Sequence, residues 1–200
     1  MAKKEIELRF FIGESIKTIE EKINHSLHYK FLKEVTEEDI YYTSKHKDFI
    51  TSEECLRIRD VNGNCEITWK PATTDDMLFQ KSFWKEEINL SIRGTQKEIA
   101  KALLQSLDFV ECSIVKKKRV YYKIDRHTLL TLDYIDQLGW FVEIETISED
   151  ESISLIKNRQ IAKKLQLSLE CAINIPYRDL VQDNKSKKIY LQQHLAIKSA

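Results

Sequence analysis

The sequence is poor in several features that common functional classes require. Its four cysteines, Cys55, Cys65, Cys112 and Cys171, stand at wide, irregular spacings with no CxxC. That pattern excludes the usual zinc and disulfide frames and reads as buried thiols in a reducing cytoplasm, the expected location. Only four glycines and two prolines are present. With neither GxGxxG nor GxxxxGK, the two common glycine-rich phosphate cradles are missing, so any phosphate must be held by side chains. The histidines form no HExxH pair, and no apolar run exceeds three residues, which argues against membrane-spanning helices and a secretory signal. Lys plus Arg and Asp plus Glu both total 32 in 200 residues. A zero formal charge gives no bulk attraction to nucleic acid or to an anionic membrane, and neither partner is expected.

What the chain does have is charge in strict alternation. In residues 3–12, Glu5, Glu7 and Arg9 share one parity while Ile6, Leu8, Phe10 and Ile12 share the other, the pattern of a strand with one apolar face. Ile16, Ile19, Ile23 and Leu27 then fall at helical spacing, so a helix is predicted over about 15–28. Ile40–Thr43 reads as a short β-like run. Cys55–Asp60 and Cys65–Lys70 flank Asn62-Gly63-Asn64 and predict a hairpin. A strand is predicted over Phe83–Ile92, then a helix opened by a Thr95/Glu98 capping box. Further strands are expected at Ile114–Ile124, Thr128–Ile135 and Trp140–Thr146, and a last helix behind a Ser148/Glu151 box. No linker divides the chain, which predicts one domain over 1–181 and a C-terminal tail over 182–200, docked or mobile.

Large charges recur on one face of nearly every strand: Arg57 and Arg59; Glu66 and Lys70; Lys85 and Glu87; Lys117, Arg119 and Lys123; Asp133; Glu143 and Glu145. An antiparallel sheet with a solvated face accounts for any one of them. Yet the opposite faces carry Leu56, Ile58, Ile67, Trp69, Val120, Leu132, Val142 and Ile144, which helices can cover. The charged face is then either fully exposed or turned inward around a channel. An interior of both signs recognises a polyanion together with its metal: cations grip phosphate oxygens and carboxylates hold a hard divalent ion.

These strands resemble a known family. Glu5-Ile6-Glu7-Leu8-Arg9 is similar to the N-terminal ExExK signature of the CYTH superfamily, the triphosphate tunnel metalloenzymes. Leu56-Arg57-Ile58-Arg59 resembles its LRIR strand, Thr68-Trp69-Lys70 its T-[YW]-K strand, and Lys117-Lys118-Arg119 its KxR strand. The segment Leu138 to Glu145 resembles LGxFxEIE. The five motifs occur in family order. The helix before Lys117, the Asp133 strand and Pro176-Tyr177-Arg178-Asp179-Leu180 resemble the class IV adenylyl cyclase branch.

The resemblance implies an α+β fold, a closed eight-stranded, mostly antiparallel β-barrel or tunnel with helices packed outside. It implies Glu5, Glu7 and Asp133 as catalytic acids. Glu87, Asp133, Glu143 and Glu145 would be metal ligands for Mg²⁺ or Mn²⁺, as two ions. Arg9, Arg57, Arg59, Lys70, Lys85, Lys117 and Arg119 would grip the triphosphate. The implied reaction is ATP to cyclic AMP and pyrophosphate, and the implied assembly a homodimer. The rival expectation is hydrolysis of tripolyphosphate, thiamine triphosphate or a nucleotide in the same tunnel. A non-catalytic polyphosphate- or nucleotide-binding module is a third expectation, disfavoured because the acids are retained. Four positions depart from the family pattern. Arg9 replaces a lysine, Lys85 stands where arginine is common, and Asn89 replaces a second glutamate. Ile175-Pro176-Tyr177 replaces Arg-Ser-Tyr, which leaves one cation missing or moved to Arg178.

Overall fold

Alternation along the strands decides the architecture. The computed structural model describes residues 4–13, 15–72, 87–136, 138–182 and 184–196. In chain order these form β1 (Lys4–Gly13), α1 (Lys17–Ser26), β2 (Lys30–Ser44), β3 (Cys55–Val61), β4 (Asn64–Lys70), β5 (Ile88–Arg93) and α2 (Lys97–Ser106). Then follow β6 (Phe109–Lys123), β7 (Thr128–Ile135), β8 (Gly139–Ser148), α3 (Glu151–Lys164), α4 (Tyr177–Gln182) and α5 (Asn184–Gln193). The strands make one eight-stranded sheet in the order β1-β8-β7-β6-β2-β3-β4-β5, and every neighbouring pair is antiparallel.

The expected barrel is met only in part. β1 and β5 are the two edges, and no pairing joins them among the described residues, so the sheet is not closed. It is nevertheless rolled: Glu5 on β1 and Lys70 and Glu87 from the β4–β5 side line one cavity. The short run at Ile40–Thr43 is the end of a 15-residue strand whose first third, Lys30–Glu34, is exposed on both faces and so shows no alternation. The Phe83–Ile92 strand is β5 from Ile88 onward; its first residues, with Lys85, lie outside the described ones. Neither capping box forms as expected. Gln96 precedes α2, and its side chain accepts from the Arg93 N–H; Asp150 caps α3 by accepting from the Ile153 N–H at 3.0 Å. The aspartate displaces Ser148 because its carboxylate reaches the free first-turn amide and complements the helix dipole. The β3–β4 hairpin turns on Asn62 and Gly63, both at positive φ (52° and 81°), as a two-residue turn demands.

Two outer clusters hold helices against the sheet. Leu8, Phe10, Val142, Ile144, Leu130 and Leu132 pack against Ile19 and Ile23 of α1 and Ile161 and Ala162 of α3. Ile40, Tyr42, Leu56 and Ile58 pack against Ala100 and Leu104 of α2. Asn158 on α3, fully buried, donates to the carbonyls of Ile6 and Ile144 at 2.8 and 3.2 Å, which clips the helix to the strands that carry Glu5, Glu7, Glu143 and Glu145.

A third cluster lies on the inner face. Phe11, Phe141, Ile135 and Val115 continue the parity of Arg9, Glu143, Asp133 and Lys117, so at one end of the rolled sheet the inward side chains change from charged to apolar. Tyr177 and Leu180 of α4 and Leu191 of α5 pack onto them and fill that end. The chain reaches this position by pairing Ala172 with Phe10, and the Ile173 N–H donates to the Arg9 carbonyl at 2.8 Å. After α5, the Ala196 N–H donates to the Phe11 carbonyl, so this terminal segment is docked as far as Ala196.

Candidate functional site

The rolled inner face encloses a cavity of about 620 Å³. Arg57 and Arg59 reach it from β3, Lys70 from β4, Lys117 and Arg119 from β6, and Arg9 from β1. Six cations on four strands cannot stay desolvated alone, and each has carboxylates beside it. Arg59 binds Asp39 through two hydrogen bonds of 2.6 and 2.7 Å. Lys117 lies 3.1 Å from Glu37 and 3.5 Å from Asp39. Arg119 grips both oxygens of Asp133 and also Glu143; Arg9 binds Glu143 at 2.6 Å and Glu7 at 2.7 Å. Lys70 pairs with Glu87, to which Asn89 also donates at 3.2 Å.

Arg57 is the least satisfied cation of the set. It lies 3.7 Å from Asp39, and its buried Nε has no hydrogen-bond partner among the described residues. An orphaned guanidinium N–H on a cavity wall is a donor waiting for an anion.

The acids divide into two groups by surroundings. Burial opposes ionisation of Asp39, Glu37 and Glu143, but the adjacent cations win. Lys117, Arg57 and Arg59 hold Asp39 far below its ordinary range, Lys117 and Arg59 bring Glu37 to about 2, and Arg119 and Arg9 hold Glu143 far down. These three serve the cations. Glu5, Glu7 and Glu145 behave oppositely. Burial, reinforced by their mutual repulsion, lifts Glu7 to about 7 and Glu145 to about 8, and raises Glu5. Glu7 and Glu145 face each other directly across the β1–β8 ladder. Asp133 belongs to neither group at the lumen. It is completely buried behind the wall, held by Arg119 and by the Tyr177 hydroxyl at 2.9 Å.

The sequence settles what these strands belong to: residues 3–174 match the CYTH domain model. The chain belongs to the CYTH family. Among curated proteins, one from Methanocaldococcus jannaschii, named a putative adenylate cyclase, is 31% identical over 94% of this CYTH chain and 97% of its own length. A solved structure from Pyrococcus horikoshii OT3 is 28% identical with a TM-score of 0.74, covering 90% of this chain and 98% of that one. A Hippeastrum protein, described as a putative adenylyl cyclase with a dominant triphosphatase activity, shares the fold at 17% identity and a TM-score of 0.58, over 82% and 88% of the two chains.

The CYTH family implies a divalent metal. Among the described residues no three carboxylate, histidine or cysteine side chains converge as a finished ligand set. The donor chemistry still fits. Glu5, Glu7 and Glu145 are hard oxygen donors whose raised pKa values record an unmet need for positive charge, which a Mg²⁺ or Mn²⁺ ion held there would meet. Because folding raises Glu7 and Glu145 above the ordinary 4.5, these two groups hold more protons in the folded protein than in the unfolded chain between about pH 4.5 and pH 8. Their contribution to the stability of the metal-free protein is therefore lost as pH rises through that window. A divalent cation bound by these carboxylates would replace those protons. Its affinity should climb from about pH 6 to about pH 8, with net proton release at neutral pH, measured by calorimetry in buffers of different ionisation enthalpy. A flat affinity with no proton release contradicts this ligand set.

Sequence reasoning missed Glu37, Asp39 and the positioning contacts of Tyr177. Glu37, Asp39 and Tyr41 do alternate with Ile40 and Tyr42, but the run Glu37-Glu38-Asp39 reads as a solvated acidic patch. Arg178 does not stand in for the missing family cation. Its guanidinium is spent on the carbonyl of Glu54 at 2.7 Å, that of Phe49 at 3.5 Å, and the side chain of Asp179. No described helix is long and apolar enough to cross a membrane.

Proposed function

We propose that this CYTH protein is a divalent-metal-dependent enzyme that holds the triphosphate of a small molecule in its cavity and converts ATP to cyclic AMP and pyrophosphate. The observation that carries this reading is the ring of six cations on four strands, of which Arg57 presents an unpartnered donor, beside a carboxylate group short of positive charge. The curated relative named an adenylate cyclase supports the choice of reaction.

In this reading Arg57, Arg59, Lys70, Lys117, Arg119 and Arg9 exchange their carboxylate partners for phosphate oxygens. They orient the chain of phosphates so that the ribose 3′ oxygen lies in line with the α-phosphorus. The 3′ oxygen forms a bond to that phosphorus, the bond from it to the bridging oxygen breaks, and pyrophosphate leaves with the electron pair. The hydroxyl proton passes to Glu7 or Glu145, whose pKa values near neutrality suit a base at physiological pH. A divalent metal held by Glu5 together with whichever of Glu7 and Glu145 is not the base would supply charge neutralisation at the phosphates and lower the pKa of the attacking hydroxyl.

One observation favours a second reading, hydrolysis of the terminal phosphate. Asp133 is withheld by Arg119 and Tyr177, which leaves no base dedicated to a ribose hydroxyl, and Glu7 and Glu145 accept a proton from water equally well. Incubation with ATP and, separately, with tripolyphosphate, each with Mg²⁺ or Mn²⁺, distinguishes the two. Cyclic AMP with equimolar pyrophosphate, seen by phosphorus NMR, supports the cyclase. Orthophosphate without cyclic nucleotide replaces it with the triphosphatase, and no turnover of either compound overturns both.

A further inference from the structure

Tyr177 stands where the charged lumen meets its apolar end. It is 4% exposed and packs edge-to-face on Phe141, with ring centroids 5.1 Å apart. Its ring also meets two cations of the cavity wall. The Arg9 guanidinium carbon lies 4.1 Å from the ring centroid and the Lys117 ammonium 5.5 Å from it, both within cation–π range. Its hydroxyl donates to Asp133 Oδ2, and Asp133 in turn holds Arg119 through Nε and Nη2. One aromatic side chain thus touches, directly or through one carboxylate, three of the six cations that the strands bring to the cavity wall. The next residue, Arg178, is tied to the carbonyls of Phe49 and Glu54, so the ring is anchored from both sides of the cavity. Pro176 also lines the cavity, and the Arg9 Nη1 donates to the Ile175 carbonyl at 2.8 Å. Tyr177 lies beyond the stretch that the family model matches.

We infer that Tyr177 is a positioning residue for phosphate binding. Its ring face sets where Arg9 and Lys117 rest, and its hydroxyl, through Asp133, sets the orientation of the Arg119 fork. A tyrosine suits both tasks because its body belongs in the apolar plug while its polar tip needs a buried partner. A residue that merely filled the plug would be replaced by phenylalanine without consequence for ligand binding. This inference rests on the reading of the cavity as a triphosphate site.

The test is calorimetric titration of the full chain with inorganic tripolyphosphate and Mg²⁺, using wild type, Tyr177→Phe, Arg119→Lys, Arg57→Lys and the two double variants. Tyr177→Phe should weaken binding about fivefold and leave the melting temperature within a few degrees, since the ring remains. Its effect should be strongly non-additive with Arg119→Lys, which shares the Asp133 contact, and additive with Arg57→Lys, which does not. Tyr177→Leu, which also removes the ring face, should weaken binding further, by about thirtyfold; should it fail to fold, the phenylalanine cycle still decides. Binding by Tyr177→Phe within twofold of wild type, or additivity in both cycles, overturns the inference while leaving the triphosphate reading intact. Failure of the wild type to bind tripolyphosphate overturns both.

Discussion

Replacing Asp39 with asparagine should lower the folding stability of the metal-free protein by about 3 kcal/mol. Asp39 is fully buried and is approached by Arg59, Lys117 and Arg57, so the neutral amide leaves Arg59 and Lys117 leaning on Glu37 alone and takes from Arg57 its ion pair among the described residues. In a chain of this size that loss lowers the melting temperature by about 6–12 °C. Asp39 is held far below its ordinary pKa, so its contribution is present above the normal carboxylate range and disappears only as pH falls below it. The wild-type and variant melting curves should therefore converge in acid. Tripolyphosphate should raise the melting temperature of the variant more than that of wild type, because the ligand supplies the negative charge the mutation removed. Equal stabilities at neutral pH contradict the counter-ion role.

Glu145→Gln should do the reverse: leave the fold as stable or more so and cut turnover at least about 100-fold. Glu145 is pushed up to about 8 by burial and by Glu5, Glu7 and Glu143, so a neutral isostere relieves repulsion instead of breaking a pair. The same substitution at Glu143 has a different meaning, since Glu143 bridges Arg9 and Arg119, and its loss releases both. Denaturation curves and steady-state rates on the two variants separate the roles. Glu145→Gln turning over within a few-fold of wild type removes it from the catalytic group.

The charged strands were legible because alternation records which face of a strand is which, and the number of strands with charge on one face was the informative quantity. The alternation at Glu5-Ile6-Glu7-Leu8-Arg9 and at Arg57-Ile58-Arg59 placed those side chains in the lumen, where the structure has them. Three features were hidden for physical reasons. β2 opens with five exposed residues that print no alternation, and its run Glu37-Glu38-Asp39 reads as a solvated acidic patch, so the buried Glu37 and Asp39 went unnoticed. The apolar plug arises where a strand's inward parity changes from charged to apolar, at Phe11, Ile135 and Phe141; read locally, each is an ordinary hydrophobe. Asp133 sits on the right parity, but which charged side chains reach the lumen and which stand behind others depends on neighbours from three strands and α4. Closure of the barrel is a property of edge pairing, and no strand encodes it alone.

The central claim is that one cavity, lined by Arg57 and its five companion cations, receives the triphosphate whatever the reaction that follows. A competition titration tests it most directly: tripolyphosphate is titrated into the protein with Mg²⁺, first alone and then with ATP already bound. A single site for which the two compete, weakened by Arg57→Ala for both ligands, is the predicted result. Independent binding of ATP and tripolyphosphate, or a loss on Arg57→Ala confined to one of them, contradicts it.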